Sequence, residues 1–397
     1  MVKRRPTIAD VASAADVSVG TVSNYLNGTA NVRKETAQRI DAAVRDLAYR
    51  PSVVARALSH ANSAHSIHDR SHSPRLVVAG YISVDYLCRV DVLPHRDDRI
   101  TAQHIEKALG GPAANVAVAA AGIGMSGRYG LDVELATALG SDPDSEWALA
   151  ELSRKGVHAL PIRQPFNNRL SRCIVFIEEN GSRTIVNEPF ELSEVDLTSQ
   201  LNVKPEARSC CLHIEGYHYD RMRGSIDRFH DAGWKVSMHS AGLPASSRTP
   251  DAFLDLVSRL DLAFAGDRLI REIFDIRLPT TSALIADIAT KLSDLERRGH
   301  LVITLGPLGA VVFPADNSAP IEVPALPVKL VDTTGAGDSF AGAFLAYWMN
   351  GDSLQSAAGH AAASGSLTTT VEGAQGMISS HEDLSAALAG RGWLEAS

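Results

Sequence analysis

Apolar residues recur with helical spacing at the start of the chain. Ile8, Val11 and Ala12 stand at positions i, i+3 and i+4, which predicts a first amphipathic helix. A second helix is predicted over Val19–Leu26, because Ser18 can cap its N-terminus. The spacing therefore predicts a small all-α segment with a tight turn between its first two helices.

Two further helical segments follow before the pattern is lost. A third helix is predicted from Lys34 to Ala48, and Pro51 prevents its continuation. Residues 52–58 can form one more short helix. The stretch 60–74 is small and polar without apolar periodicity, so we interpret it as a linker. It holds several histidines, but their irregular spacing and the absence of cysteine favour a solvated linker over a metal site.

From Arg75 onward, short apolar runs alternate with helical patterns. The predicted strands are Leu76–Ile82, Leu135–Leu139, Cys173–Ile177, Cys211–Ile214, Lys235–Met238, Leu262–Ala265 and Leu301–Thr304. The predicted helices include Ala113–Ala121, Glu146–Lys155 and Ser339–Trp348. This alternation is typical of an α/β domain in which helices flank a mostly parallel sheet.

Two stretches depart from that alternation. Residues 86–109 are polar and extended, and residues 173–186 predict a hairpin that turns at Asn180-Gly181. Such strands can form a small β lid over one edge of the sheet. The predicted domains are therefore a helical head over 1–59, the linker over 60–74, and an α/β domain over 75–397.

Composition and charge indicate the class of protein. The apolar share of 45% and the charged share of 21% are typical of a globular protein. Residues 1–60 hold nine Lys and Arg against five Asp and Glu, so they carry +4, while the whole chain carries −8. A basic head suits contact with a phosphate backbone. No apolar run is long enough to span a membrane, the start lacks a signal peptide, and the four cysteines show no disulfide pattern, so we expect a cytoplasmic protein.

A short motif near residue 335 suits phosphoryl transfer. The run DTTGAGDSF covers residues 332–340, where an extended segment ends and a helix begins. Small residues at Gly335, Ala336 and Gly337 let backbone N–H groups approach an anion, which the helix N-terminus also attracts. Asp338 can accept a proton from an attacking hydroxyl. No Walker-type phosphate loop occurs in the sequence.

The head resembles the DNA-binding head and hinge of the lac-repressor (LacI) family from residue 7 to residue 58. This resemblance implies that the helix starting after Ser18 enters the major groove of a pseudo-palindromic double-stranded operator, bound by a homodimer. The implied phosphate contacts are Thr7, Ser18, Thr21, Ser23 and Asn27. The implied base-reading positions are Val19, Gly20 and Asn24. The hinge match includes Ala55 and Leu58, and the leucine is expected to wedge into the minor groove.

Nearly all of residues 75–380 resemble the ribokinase-like (PfkB) carbohydrate kinases. The resemblance rests on GGPAAN at 110–115, TLGPLG at 304–309 and DTTGAGDSF at 332–340. It implies that a sugar or nucleoside is bound by Asp85, Gly110, Gly111 and Asn115. It implies that ATP lies along Thr304, Gly306 and Gly309, with His360 either near the adenine or used in packing. It further implies Asp338 as the base and Gly335, Ala336 and Gly337 as the anion hole.

The sequence departs from this family at one motif. The family usually carries N-x-x-E, which organises the waters of the Mg²⁺ that accompanies ATP. Residues 265–269 read AGDRL, without Asn or Glu, and Asp267 and Glu272 are the available substitutes. We expect a sugar-responsive regulator whose body is a carbohydrate kinase domain that binds sugar and ATP and transfers the γ-phosphate to a sugar hydroxymethyl group, with Asp338 as the base. An inactive kinase fold that acts only as a sugar sensor, and a sugar kinase with an autoregulatory DNA-binding head, remain open alternatives.

Overall fold

The chain divides into two compact units, Met1–His68 and Asp69–Ser397. The structure, a computed structural model, describes residues 8–26, 34–47, 72–126, 128–164, 168–179, 182–189, 192, 194–277 and 281–389. Most of the predicted linker lies outside these ranges, so the predicted domain limits stay predictions.

The N-terminal unit is helical, as predicted. Its described helices are α1 (Ile8–Ala14), α2 (Val19–Leu26) and α3 (Lys34–Asp46). The Thr21 N–H donates to Ser18 Oγ at 3.0 Å, which is the predicted cap at the start of α2. The three helices share a small apolar core formed by Val11, Ala12, Ala15, Val22, Ile40 and Ala43. The predicted short helix over 52–58 lies outside the described residues.

The second unit is built from strands and helices in alternation. Its strands are β1 (Arg75–Ala79), β2 (Ser83–Val90), β3 (His104–Gly110), β4 (Asp132–Leu139), β5 (His158–Arg163), β6 (Ser171–Glu178), β7 (Arg183–Asn187), β8 (Cys210–Glu215), β9 (Lys235–His239), β10 (Leu262–Gly266), β11 (His300–Thr304), β12 (Ala310–Phe313) and β13 (Ile321–Val323). Its helices are α4 (Pro112–Gly124), α5 (Pro143–Arg154), α6 (Tyr219–Met222), α7 (Ile226–Asp231), α8 (Pro250–Arg259), α9 (Asp267–Ile273), α10 (Thr281–Ser293), α11 (Ala336–Met349), α12 (Leu354–Thr368) and α13 (His381–Ala389).

Nine of these strands form one large sheet in the order β13-β12-β11-β10-β9-β8-β1-β4-β5. Neighbouring strands from β11 through β5 are parallel, and only β12 and β13 run antiparallel to their neighbours. The predicted mostly parallel sheet is therefore confirmed. In such a sheet the carboxyl ends of the parallel strands share one edge, where ligands bind.

Helices cover the large sheet on both faces. Along β1, Leu76 and Val78 join a core with α4, α11 and α12, while Val77 and Ala79 join a core with α7, α8 and α10. Alternate side chains of one strand therefore enter two different cores, as expected for a parallel sheet that is buried on both faces. The strand predicted over Leu76–Ile82 ends at Ala79, because the chain then leaves this sheet to begin β2 at Ser83.

The remaining strands form a second sheet, the lid sheet, in the order β3-β2-β6-β7. The pairing of β6 with β7 is antiparallel, which agrees with the predicted hairpin, although its turn at 180–181 lies outside the described residues. One face of this sheet lines a cavity, while Ile105, Ile174 and Val186 on the other face are exposed. No helix within the described ranges is both long enough and apolar enough to cross a membrane.

Candidate active site

A glycine in the left-handed backbone conformation precedes helix α11. Gly335 has φ +73° and precedes Ala336, the first helical residue. A Cβ at Gly335 would lie 2.5 Å from the Cβ of Ala374, so only glycine fits there. A Cβ at Gly337 would meet nothing within 4 Å, which leaves open space beside the first turn. The Ala336 N–H donates to the Thr333 carbonyl at 3.3 Å, so Gly337 is the predicted anion-hole residue with open surroundings.

The loop before α11 is held by a buried carboxylate. Asp332 Oδ1 accepts from the Thr334 N–H at 2.6 Å, and its Oδ2 accepts from the Gly373 N–H at 2.8 Å. Its side chain also pairs with Arg183 of strand β7. Buried carboxylates persist where they are paired and hydrogen-bonded. Asp332 thus stabilises the conformation of the loop and connects the loop to the lid sheet.

Asp338 lies in the first turn of α11 and faces the cavity. Asn115 Nδ2 donates to its Oδ2 at 2.8 Å, and Gln375 Nε2 donates to Asn115 Oδ1 at 2.8 Å. Burial raises the pKa of Asp338 to about 6; the Asn115 bond opposes this change, and the charge of Glu215 adds to it. A carboxylate with such a pKa is mostly ionised at neutral pH and remains a competent general base.

The predicted sugar-binding residues lie beside Asp338. Asp85 stands on β2, where Ser83 Oγ donates to its Oδ1 at 2.9 Å, and burial raises the pKa of Asp85. A Cβ at Gly110 would lie 2.2 Å from Asp85 Oδ2, and Gly111 has φ +94° with Tyr81 O 2.6 Å from a Cβ. Both glycines are therefore required by close packing. Asp85, Gly111, Asn115, Gly335 and Asp338 line one cavity of about 700 Å³.

The predicted nucleotide loop follows strand β11. Thr304 ends that strand, and its Oγ1 donates to the Ala265 carbonyl at 3.5 Å. Gly306 and Gly309 have φ +59° and +103°, and a Cβ at Gly309 would lie 2.0 Å from the Val323 carbonyl oxygen. The loop leaves the side chain of Leu308 exposed. These residues do not line the 700 Å³ cavity but stand at the carboxyl edge of the same sheet.

His360 is a packing residue by its contacts. It is buried in α12, its ring stacks on Tyr347 with 4.1 Å between centroids, and its Nδ1 lies 2.9 Å from the Ser356 carbonyl oxygen. His381 packs against the same pair. Of the two alternatives for His360, these contacts support packing, and His360 does not line the cavity.

The carboxylates available at the N-x-x-E position each face an arginine and do not form a magnesium site by themselves. Asp267 begins α9 and pairs with Arg271 at 3.6 Å, while Glu272 pairs with Arg248 at 3.8 Å. Both side chains are well exposed. Magnesium is bound by oxygen ligands in a strict octahedron, and within the described ranges no group of three or more His, Cys, Asp or Glu could hold a metal ion.

The head presents a polar edge at the start of α2. Ser18, Val19 and Gly20 are exposed, with 45% of Val19 accessible, and Ser18 Oγ lies 2.8 Å from Thr21 Oγ1. The predicted contacts Ser23 and Asn24 lie on the same helix. The other predicted DNA contacts lie outside the described residues, and they are Thr7, Asn27, Ala55 and Leu58.

Comparison with known families decides the class of both units. Residues 73–381 match the family described as pfkB family carbohydrate kinase. The chain belongs to the pfkB family of carbohydrate kinases. Residues 7–52 match the bacterial regulatory proteins of the lacI family, so the N-terminal unit is a lacI family head. The fusion predicted from the sequence is confirmed.

Several known kinases are similar to the kinase unit. The ATP-dependent ribose-1-phosphate kinase of Halopiger xanaduensis is 27% identical over 307 residues, which are 76% of this chain and 94% of that protein. The cytidine kinase of Thermococcus kodakarensis is 28% identical over 293 residues, covering 70% and 90%. The structure of Arabidopsis thaliana ribokinase complexed with ribose and ATP superimposes with a TM-score of 0.62 at 21% identity, covering 80% and 99%. This likeness confirms the ribokinase-like fold.

A buried carboxylate at the end of β8 was missed in the sequence. Glu215 is fully buried, accepts from the Tyr217 and His218 N–H groups, and pairs with the His218 ring. Burial raises the pKa of Glu215, while His218 opposes that change. A charged residue that ends the buried run CCLHIE was a usable signal, because carboxyl ends of parallel strands meet at the binding edge.

Two ion pairs that hold the lid sheet to the rest of the kinase unit had no sequence signal. Arg183 of β7 pairs with Asp332 and contacts Thr334 Oγ1, and Arg89 of β2 pairs with Glu372. These partners are 149 to 283 residues apart in the chain, so only the folded kinase unit brings them together. The Arg183 contacts connect the lid sheet to the loop before α11, and the Arg89 contact connects it to the segment after α12.

Proposed function

We propose that this chain is a sugar-responsive transcription regulator whose kinase unit binds a sugar or nucleoside together with ATP. In this proposal the kinase unit transfers the γ-phosphoryl group to a hydroxymethyl group, with Asp338 as the base. The observation that carries it is the grouping of Asp338, Asn115 and Asp85 in one cavity beside the open first turn at Gly337.

The step follows from the positions of these groups. Asp85 and Asn115 hold sugar hydroxyls, and the hydroxymethyl O–H gives its proton to Asp338. The freed oxygen forms a bond to the γ-phosphorus, the bond to the β-phosphate oxygen breaks, and ADP leaves. The backbone around Gly335 and Gly337 and the positive end of α11 stabilise the charge on the transferred group. Thr304, Gly306 and Gly309 hold the nucleotide in this scheme.

The range of substrates is suggested by the relatives. Proteins similar to the kinase unit are named for ribose 1-phosphate, cytidine and ribose. We therefore expect a pentose, a pentose phosphate or a nucleoside in the cavity. Each of these presents a primary hydroxyl that can face Asp338.

The head is proposed to bind a pseudo-palindromic operator as part of a homodimer. In this role Ser18 and Thr21 position the phosphate backbone, and Val19 and Asn24 contact base edges. The outer face of the lid sheet supports a dimer, because it exposes Ile105, Ile174 and Val186.

Sugar can affect operator binding only if it favours one arrangement of the two heads over another. The lid sheet is a suitable element for this, because it covers the sugar cavity and presents that apolar outer face. Closure of the lid over a bound sugar would alter the surface on which the partner protomer rests.

A second candidate function is a sensor without turnover. It is favoured by the exposed, arginine-paired side chains of Asp267 and Glu272 at the position of the N-x-x-E motif. In that case sugar binding alone would control operator affinity, and ATP would be bound without transfer.

The deciding experiment follows ADP release from ATP-Mg²⁺ with ribose, ribose 1-phosphate and cytidine. We expect sugar-dependent release, reduced by about 10²–10⁴-fold in Asp338→Asn, because this is the usual contribution of a general base. Calorimetry on the same variant should still detect sugar binding. Binding without release in the wild type assigns the sensor function instead.

A parallel experiment tests the head. Operator DNA selected with the full chain should bind more weakly as salt rises, because phosphate contacts release counterions. Its affinity should change when the sugar that binds in the calorimeter is added at saturation. Unchanged operator affinity at saturating sugar excludes the regulatory coupling and leaves a kinase with an independent head.

A further inference from the structure

A chain of buried polar side chains leads away from the carboxylate of Asp338. His239, the last residue of β9, places Nε2 3.7 Å from Asp338 Oδ1. Its Nδ1 lies 2.9 Å from Nε2 of His213 on β8, and His213 Nδ1 lies 2.8 Å from Oγ of Ser237. His213 and Ser237 are fully buried, and His239 is 6% exposed.

Strand register explains why these groups meet. His213 is the direct partner of Ser237 across the parallel pair of β8 and β9, and His239 stands two residues further along β9. The planes of the two imidazoles differ by only 5°, with 5.1 Å between centroids. Two rings joined end to end through a 2.9 Å nitrogen–nitrogen contact have such a separation, so the rings form a directed N–H···N bond rather than a face-to-face stack.

Both imidazoles are neutral at neutral pH. Burial lowers the pKa of His239 to about 4, and burial together with the nearby His239 lowers the pKa of His213 well below its ordinary value. A neutral imidazole has one N–H donor and one bare nitrogen acceptor. Which nitrogen of each ring carries the proton is therefore decided by the groups at the two ends of the series, Asp338 and Ser237.

An ionised Asp338 selects one order. A carboxylate only accepts, so His239 must carry its proton on Nε2 and leave Nδ1 bare. His213 then donates from Nε2 to that bare nitrogen, and its own Nδ1 accepts from the Ser237 hydroxyl. Each contact at 2.9 Å or less is then a proper hydrogen bond, and the order is consistent from Ser237 to Asp338.

One atom in this series of described side chains lacks a hydrogen-bond partner. Within the described residues, His239 Nε2 is buried and has no hydrogen-bond partner, and it points toward Asp338 across 3.7 Å. Catalytic hydrogen bonds are often long before substrate binds and tighten in the reactive complex. Because Asn115 holds Oδ2 at 2.8 Å, Oδ1 is the carboxylate oxygen that faces Nε2.

We propose that Ser237, His213 and His239 form a buried donor relay that directs the His239 Nε2–H at Oδ1 of Asp338. His239 and His213 are thus positioning residues for the base, and this role rests on the proposed function of Asp338. With Asn115 on one oxygen and His239 on the other, the carboxylate is fixed in orientation. The oxygen that takes the proton of the sugar hydroxyl keeps its remaining lone pair toward the cavity.

The relay has an electrostatic consequence. A donor to the charged form of a carboxyl lowers its pKa, so removing His239 should raise the pKa of Asp338 further. Among the other titratable groups, Glu215 and Tyr81 interact electrostatically with Asp338, Asp85 and Tyr217 line the same cavity, and His218 is paired to Glu215. Around the imidazoles lie Cys211, whose Sγ is 3.4 Å from Ser237 Oγ, and the ring of Phe264. The substitutions below leave all these groups in place.

The test compares His239→Phe with His239→Gln, whose amide nitrogen can take the place of Nε2. We expect the acid limb of the pH profile of kcat/KM to move upward by about one pH unit in His239→Phe and to return toward the wild-type value in His239→Gln. Activity of His239→Phe should then fall about fivefold at pH 6 and less than about twofold at pH 8.5. His213→Leu should move the limb in the same direction by a smaller amount, because His239 loses the group that sets its tautomer.

A second readout separates this relay from the proposed activity. The infrared band of the protonated Asp338 carboxyl, assigned by its loss in Asp338→Asn, can be titrated in the full chain without any substrate. Its midpoint should rise in His239→Phe even if no sugar is phosphorylated, in which case only the proposed function fails. An unchanged midpoint, or a loss of kcat/KM by one factor at every pH, overturns the relay and leaves His239 as a packing residue.

Discussion

The two sheets of the kinase unit meet at one cavity but are stabilised in different ways. The nine-stranded sheet is covered by helices on both faces, and every residue of β8 is buried. The lid sheet has one face toward the cavity and exposes Ile105, Ile174 and Val186 on the other. The side chain of Arg183 links the lid sheet to Asp332 in the loop before α11. A buried sheet holds fixed groups, whereas ion pairs can break and form again as a cover moves.

The distribution of the candidate site follows this difference. Asp338 and Asn115 stand on α11 and α4, which are packed into the core of the large sheet. Asp85 stands on β2 of the lid sheet. The proposed base and the amide that contacts it are thus placed by helices of the large sheet, and the proposed sugar-binding carboxylate by the lid sheet. The sequence motifs do not distinguish these two environments.

The largest effect on stability is expected in the core formed by the large sheet with α7, α8 and α10. Phe229 of α7 is fully buried and meets Trp234 edge to face at 5.5 Å. Phe229→Ala should lower the free energy of unfolding of the kinase unit by about 3–5 kcal/mol, through lost burial and a cavity. Urea unfolding followed by tryptophan fluorescence measures it. A loss below about 1 kcal/mol would mean that this core is no more tightly packed than the lid sheet.

An intermediate effect is expected at the link between the two sheets. Arg183→Met removes a charge-assisted contact with Asp332, worth about 1.5–3 kcal/mol, although Asp332 keeps its two backbone donors. We expect the KM for the sugar to rise about tenfold and the melting temperature to fall by several degrees. Arg183→Lys is the matched control, because it keeps the charge and loses the planar guanidinium. Its KM for the sugar should lie between those of the wild type and Arg183→Met. An unchanged KM would show that the ion pair does not hold the lid closed.

The smallest effect on stability is expected on the outer face of the lid sheet. Ile174→Ser should change the free energy of unfolding by less than about 0.5 kcal/mol, because the side chain is already 42% exposed. The proposed homodimer should nevertheless weaken, as measured by sedimentation. Val92→Ser is the control, since Val92 is also exposed but lies outside the lid strands. Equal effects of the two substitutions would place the dimer contact elsewhere.

Local signals in the sequence determined the elements and the motifs. The predicted bounds of α2 coincide with the observed Val19–Leu26, since the capping Ser18 is a local signal. The strand predictions fall on β1, β4, β6, β8, β9, β10 and β11. Gly110 and Gly335 were marked by their motifs, and the structure supplies the reason, which is close contact with Asp85 and Ala374.

Only the tertiary structure decided which groups act together. The pairing of Arg183 with Asp332, and the alignment of His213 with His239 behind Asp338, depend on strand order and register across the whole kinase unit. Periodicity and capping report on neighbours a few residues apart, and they contain no information on contacts between distant strands. The raised pKa of Asp338 is decided in the same way, because burial by distant segments and not the local sequence removes water from its carboxylate.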